Sequence, residues 1–167
     1  MKTRSKALTL RLALATTALA SLPFVGASSA MAEEESIPEE CALTISSNDQ
    51  MQFDQSELAV PASCSTVSLT LEHSGSMDAT TMGHNWVLAA TEDYEDVAKE
   101  GMQAGPDAGY LPADDDRVLA ATDVIGGGES TTIEFSTEGM AGKDLTFFCS
   151  FPGHYSLMKG TFQVSES

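Results

Sequence analysis

Near the C-terminal end of this chain a thiol, an imidazole and a thioether fall within ten residues, in Phe148-Cys-Ser-Phe-Pro-Gly-His-Tyr-Ser-Leu-Met158-Lys-Gly160. A second imidazole, His84, lies far upstream in Met82-Gly-His-Asn-Trp86. The Pro152-Gly153 turn folds the chain back, so that Cys149, His154 and Met158 can converge on one point. Two imidazoles and a thiolate in a trigonal plane, with a distant thioether, are a donor set for copper. Soft sulfur favours Cu(I) while imidazole suits both oxidation states, so neither is trapped. The chemistry implied is one-electron transfer at a single ion.

Each side chain has an ordinary structural reading beside this one. A lone Cys149 is a buried thiol, and a lone Met158 fills a core. A lone His84 is a turn residue or a satisfied core histidine, and Trp86 reads as core whatever the function. The combination carries the argument, together with an odd cysteine count. Of the three cysteines, Cys41 and Cys64 would close a loop of about 24 residues, worth roughly 3 kcal/mol by loop entropy. Cys149 is then left over, and an unpaired thiol in an exported protein needs a reason. Metal ligation supplies one.

Export itself is read from the N-terminus. Residues 1–11 hold Lys2, Arg4, Lys6 and Arg11 and no acid, and an apolar run follows to Ala30-Met31-Ala32. A basic start, an apolar middle and an A-x-A ending describe a secretory signal (1–32) cleaved after Ala32. The alternative, a membrane anchor, fits poorly with Pro23 and Gly26 inside the run. No other stretch is apolar enough to span, and the residue directly after the cleavage point is Glu33, not a cysteine that could carry a lipid. The expectation is a free protein of the periplasm, an oxidising compartment that permits the disulfide. Cleavage leaves four basic residues, Lys99, Arg117, Lys143 and Lys159, against 25 acids, a net charge of −21. Such a surface repels nucleic acid and anionic lipid. Solubility, screened by salt, is the plain reading of most of these charges; steering toward basic partners is the functional one.

The elements that must position the ligands are short strands. Val67, Leu69, Leu71 and His73 alternate with polar residues, as do Ile133 and Phe135. Leu145, Phe147 and Cys149 alternate with Thr146, Phe148 and Ser150, and Phe162 and Val164 extend a face from Met158. Ser74-Gly75, Gly126-Gly127-Gly128 and Pro152-Gly153 punctuate these runs, which together predict an antiparallel sandwich or barrel. One segment, 91–104, places Tyr94, Val97, Ala98 and Gly101 at helical spacing behind acids, predicting a short inserted helix. Residues 33–40 (EEESIPEE) read as a loose acidic lead before a single domain, 41–167.

On these motifs the chain resembles the azurins, bacterial single-copper proteins of the cupredoxin superfamily. The resemblance runs over almost the whole expected mature length. It includes the Cys41 and Cys64 spacing, Asn48-Asp-Gln-Met-Gln-Phe53, Met82-Gly-His-Asn-Trp-Val-Leu88, Tyr110-Leu through Asp114-Asp115, and 147–160. The C-x4-H-x3-M spacing is the azurin form; plastocyanin-like proteins have two residues between Cys and His. The resemblance implies an all-β Greek-key sandwich or barrel of the cupredoxin kind, with one short helix inserted. It also implies one copper ion held equatorially by His84, Cys149 and His154, with Met158 a weak axial ligand and the Gly83 carbonyl opposite. Asn85 would tie the ligand loops together and order the Cys149 sulfur. Phe151 would pack beside the ligands, and Met51, Met82, Met102 and Pro152 would surround His154 as an apolar electron port. His73 takes the place of a buried histidine that titrates in some azurins; a satisfied core histidine is the other reading.

The implied role is a monomeric, non-enzymatic carrier of single electrons between redox proteins such as c-type cytochromes and nitrite reductase. Three rival readings make different demands on the sequence. A copper storage or delivery protein would show exposed Met-rich or His-rich tracts. A fragment of an oxidase or nitrite reductase would need a second copper site, for which only His73 remains. A zinc-loaded structural domain would use the same donors in tetrahedral form. Departures from the azurin pattern are the long acidic lead, Tyr155 beside His154, and the extreme charge.

Overall fold

A computed structural model describes residues 36–165 of the chain. The expected signal peptide, 1–32, and the first residues of the acidic lead lie outside that range. Two sheets face each other. One has the strand order β2-β1-β4-β7, from β1 (Ala42–Asn48), β2 (Gln52–Phe53), β4 (Thr66–His73) and β7 (Ser130–Ser136). The other runs β3-β9-β8-β5-β6, from β3 (Glu57–Pro61), β5 (Val87–Ala90), β6 (Ala120–Ala121), β8 (Leu145–Phe148) and β9 (Lys159–Ser165).

Alternation builds the core between the sheets. In β4, Val67, Leu69, Leu71 and His73 are all buried while the residues between them face outward. They meet Ile45, Trp86, Leu88, Phe135, Phe147 and Phe162, and each large apolar side chain removed from water contributes roughly 1.5–3 kcal/mol. Trp86 stacks on Phe147 at 6.0 Å between centroids and meets Phe162 edge-on at 6.2 Å. The Cys41–Cys64 disulfide joins the start of β1 to the loop before β4. The helix α2 (Tyr94–Ala104) forms as its spacing predicts, with Tyr94, Val97, Ala98 and Gly101 buried.

Three expectations need correction. The sandwich is not purely antiparallel: β1 pairs with β4 and β3 with β9 in parallel. The chain changes sheets between those strands and returns alongside in the same direction, which a period-2 pattern cannot reveal. Strand β8 is buried on both faces rather than half-buried, because α2 covers the outer one; Tyr94, Val97 and Ala98 pack on Val87, Ala89 and Phe148. The acidic lead is not loose over its last residues, since Glu39–Cys41 form a 3-10 turn and Ile37 packs against the core. A one-turn helix, α1 (Ala79–Met82), also stands before the His84 segment, capped by the Asp78 carboxylate on the N–H groups of Thr80 and Thr81. Among the described residues no helix is long and apolar enough to cross a membrane.

Candidate metal centre

The hairpin between β8 and β9 carries three of the singled-out side chains. Its ladder ends at the Phe148–Lys159 pair. The Cys149 N–H then donates to the Met158 carbonyl at 3.0 Å, which sets the thiol and the thioether residue side by side. Within the loop, His154 N–H donates to the Phe151 carbonyl, and the N–H groups of Leu157 and Met158 donate to the His154 carbonyl at 2.9 and 2.8 Å. This winding aims the His154 ring back at Cys149. Gly153 has φ 85°, a left-handed conformation that glycine adopts without strain.

His84 arrives from the opposite side. It sits just before β5, in an isolated bridge with Ile125: His84 N–H donates to the Ile125 carbonyl at 3.0 Å and receives the return bond at 2.9 Å. Its Nε2 lies 2.9 Å from the Asn48 carbonyl. A carbonyl only accepts, so Nε2 carries the proton and Nδ1 keeps a lone pair. Gly83 is required before it, because a Cβ there would lie 2.3 Å from the Ala79 carbonyl oxygen and 2.7 Å from Val124.

The three donor atoms form a buried triangle. Cys149 Sγ is 3.8 Å from His84 Nδ1 and 3.7 Å from His154 Nδ1, and the two nitrogens are 3.2 Å apart. Donors bound to one small divalent ion at about 2.05 Å (nitrogen) and about 2.3 Å (sulfur), about 120° apart, lie roughly 3.5 Å and 3.8 Å from one another. The triangle fits an ion at its centre. Its electrostatics agree. Burial pushes the Cys149 thiol up to about 12, against the opposing pull of the Asn85 and Phe151 backbone N–H groups. Burial likewise draws His84 down from 6.5 to about 4, opposed by its bond to the Asn48 carbonyl, and lowers His154. Both imidazoles are neutral ligands at pH 7, and a buried thiolate calls for a cation.

The surrounding residues lock this arrangement. Asn85 is fully buried; its Oδ1 accepts the Ser150 N–H at 2.8 Å, and its Nδ2 donates to the Ser150 hydroxyl at 2.8 Å and to the Gly109 carbonyl at 3.3 Å. Phe151 packs on His154 at 4.7 Å and receives Tyr110 edge-on at 5.1 Å. Met158 is buried in one cluster with Cys149 and Phe151, and Met51 packs partly against it. Met82 and Met102 are half-buried and Pro152 is exposed. His73 is buried and stacks on His84 at 4.6 Å; its Nδ1 accepts the Gly75 N–H and its Nε2 faces the Met82 carbonyl, so the neutral ring is satisfied at both nitrogens. Four participants escaped sequence reading: Ser150, Tyr110, the Asn48 carbonyl and Leu157, which is 67% exposed on the His154 turn. Ser150 and Leu157 stand inside the ligand motif and were open to notice; a backbone carbonyl leaves no mark in a sequence.

Fold and donor set together define a sandwich with a single copper site of the trigonal thiolate kind. Residues 39–165 match the model for copper binding proteins of the plastocyanin/azurin family. The chain is 50% identical over 128 residues to the azurin of Bordetella pertussis, covering 76% of this chain and 85% of that one. It is 45% identical over 127 residues to azurin iso-2 of Methylomonas sp. strain J, covering 75% and 98%. A solved structure of that Methylomonas azurin superposes with TM-score 0.72 over 74% of this chain and 97% of the other. The chain belongs to the plastocyanin/azurin family of copper-binding proteins. It binds one copper ion at the His84, Cys149 and His154 site and carries single electrons; it is not an enzyme.

Proposed function

We propose that this is a periplasmic carrier, cleaved after Ala32, that shuttles electrons between redox proteins such as c-type cytochromes and nitrite reductase. The 3.2–3.8 Å donor triangle is the observation that carries the reading. His84 and His154 would hold the ion through Nδ1 and Cys149 through Sγ, with the Met158 thioether and the Gly83 carbonyl as further weak donors. Bound there, copper supplies one-electron chemistry that no side chain of this fold provides.

The chain's own part is to hold the donors still and keep water out. The Asn48 carbonyl fixes the His84 tautomer, and Asn85 couples the two ligand segments through Ser150. A site whose donors are already fixed moves little when the charge changes, so electron exchange is fast. His154 is buried while Pro152 and Leu157, on the same turn, are exposed, and with Met51, Met82 and Met102 these would form the apolar contact through which electrons pass. Such contacts are small and transient.

Two measurements test this. The copper-loaded, oxidised protein shows an intense visible band that Cys149→Ser abolishes while the far-ultraviolet circular dichroism is kept. Copper binding without such a band overturns the trigonal thiolate site. Mass spectrometry of protein from a periplasmic extract finds a chain starting at Glu33; an intact N-terminus retained on the membrane overturns the compartment.

A further inference from the structure

We infer that Asp49 is a positioning residue for the copper ligand His84, acting through the turn that carries the Asn48 carbonyl. The inference rests on His84 being a ligand, as proposed above. The carbonyl that fixes the His84 tautomer belongs to the tight turn between β1 and β2, which ends in a two-residue strand at the sheet edge. That turn bends through Met51 at φ 55°, a left-handed conformation costly for a side chain with a Cβ. A turn so placed needs an anchor.

Asp49 provides it. Its carboxylate accepts the Ser76 N–H at 2.9 Å and the Met77 N–H at 3.3 Å, with the Ser76 hydroxyl at 3.4 Å. These bonds, the Ser76 N–H first, hold the carboxyl below its usual value, so at neutral pH they are charge-assisted. The loop they reach is itself pinned, by Gly127 N–H donating to the Met77 carbonyl at 2.7 Å. It is also packed without slack: a Cβ at Gly75 would lie 2.0 Å from Asp49 Oδ1 and 2.6 Å from the His73 ring. His73, at the head of that loop, stacks on the face of His84, and its Nε2 is 3.8 Å from Asp49 Oδ1. His84 is thus gripped at its edge by Asn48 and on its face by His73, and Asp49 ties both grips together. Asn48 and His73 touch the ligand directly; Asp49 does not.

The test compares Asp49→Ala with Asp54→Ala. Asp54 closes the same hairpin by accepting the Ser46 N–H at 2.8 Å, with no bond to the 74–78 loop. Metal-free protein is labelled with 15N, and solvent exchange of the His84 Nε2–H is followed by NMR. Exchange in Asp49→Ala accelerates about tenfold or more, the effect of losing one charge-assisted hydrogen bond, while Asp54→Ala stays near wild type. Asp49→Asn, which keeps one acceptor oxygen, falls between and serves if the alanine variant does not fold. In copper-loaded protein, the hyperfine pattern and reduction potential shift in the same order. Wild-type exchange in the Asp49 variants, or an equal acceleration in Asp54→Ala, overturns the positioning role. Because the exchange is read without copper, failure of the electron-carrier reading leaves this result separately visible.

Discussion

Asn85 and Ser150 exchange a reciprocal pair of hydrogen bonds, Ser150 N–H to Asn85 Oδ1 and Asn85 Nδ2 to the Ser150 hydroxyl, both 2.8 Å and both buried. One partner follows His84 and the other follows Cys149, so this pair joins the two segments that carry the ligands. Neither bond uses a ligand atom, so the two segments are joined by protein groups of their own. Removing one side leaves buried donors and acceptors unpaired, at about 1–3 kcal/mol each. Asn85→Ala therefore lowers the stability of metal-free protein by about 2–4 kcal/mol, measured by urea unfolding. A loss below about 0.5 kcal/mol would mean that water replaces the amide without cost.

Copper binding should expel a countable proton. At pH 7 the Cys149 thiol, pushed up to about 12, is protonated, whereas His84, drawn down to about 4, is already neutral. Ligation needs the thiolate, so one proton leaves per copper ion, and it comes from Cys149. Calorimetry in buffers of different ionisation enthalpy reads this number directly. Cys149→Ser removes most of the release; release unchanged in that variant would assign the proton elsewhere.

The same burial makes metal-free protein acid-sensitive in a defined window. An unfolded imidazole takes up a proton near 6.5, but His84 in the fold does so only near 4, and His154 is also lowered. Between those values the unfolded state binds more protons, so stability falls as pH falls and is fully present above the upper value. The lowered carboxylates Asp49, Asp78 and Asp115 act in the same direction, but only as pH falls below the ordinary carboxylate value of 3.8. Urea midpoints therefore decline steadily from about pH 6.5 to pH 4. A flat profile there would show that water reaches His84 in the folded state.

The disulfide gives a check that is independent of the metal. Denatured, metal-free protein contains one titratable thiol, Cys149, because Cys41 and Cys64 are joined. Replacing both with Ser costs about 2–5 kcal/mol, the usual range for small exported domains. Unchanged stability would mean that Ile37 and the core around this end suffice without the bridge.

Much of this was legible in the sequence, for physical reasons that differ by residue. The β4 face of Val67, Leu69, Leu71 and His73 showed because a half-buried strand imposes period two on side-chain polarity. Helix α2 showed because its four buried positions, Tyr94, Val97, Ala98 and Gly101, fall at helical spacing, with Glu95 and Asp96 in the first turn. The donors of the triangle showed because Cys, His and Met are rarely spaced that way without a reason. Strand direction did not, since β1–β4 and β3–β9 pair through backbone groups that every residue shares. The second buried face of β8 was hidden because what covers Phe148 lies more than forty residues earlier, at Tyr94. Nor was the Asn48 carbonyl visible, although it decides which nitrogen of His84 faces the metal.

The last prediction separates contact from charge. Leu157 stands 67% exposed on the turn that holds His154, and Met82 is half-buried one residue before Gly83. If electrons cross this apolar rim, a charge placed there must be desolvated at every encounter, and small redox interfaces have little else to offset it. Leu157→Lys or Met82→Lys then slows electron self-exchange steeply while the visible band stays unchanged. The remaining surface acts at longer range. Four basic residues against 25 acids give the expected mature chain a charge of −21, and like molecules repel until salt screens them over about 10 Å at 0.1 M. Self-exchange therefore rises with ionic strength, and exchange with a basic cytochrome falls as its attraction is screened. Stopped-flow mixing and NMR line broadening across a salt series measure the two. Rates flat with salt for both partners would leave the acids a solubility role alone. Rates that fall with salt in self-exchange would mean that the two molecules meet through opposite charges, which the rim of Leu157, Pro152 and Met82 does not carry.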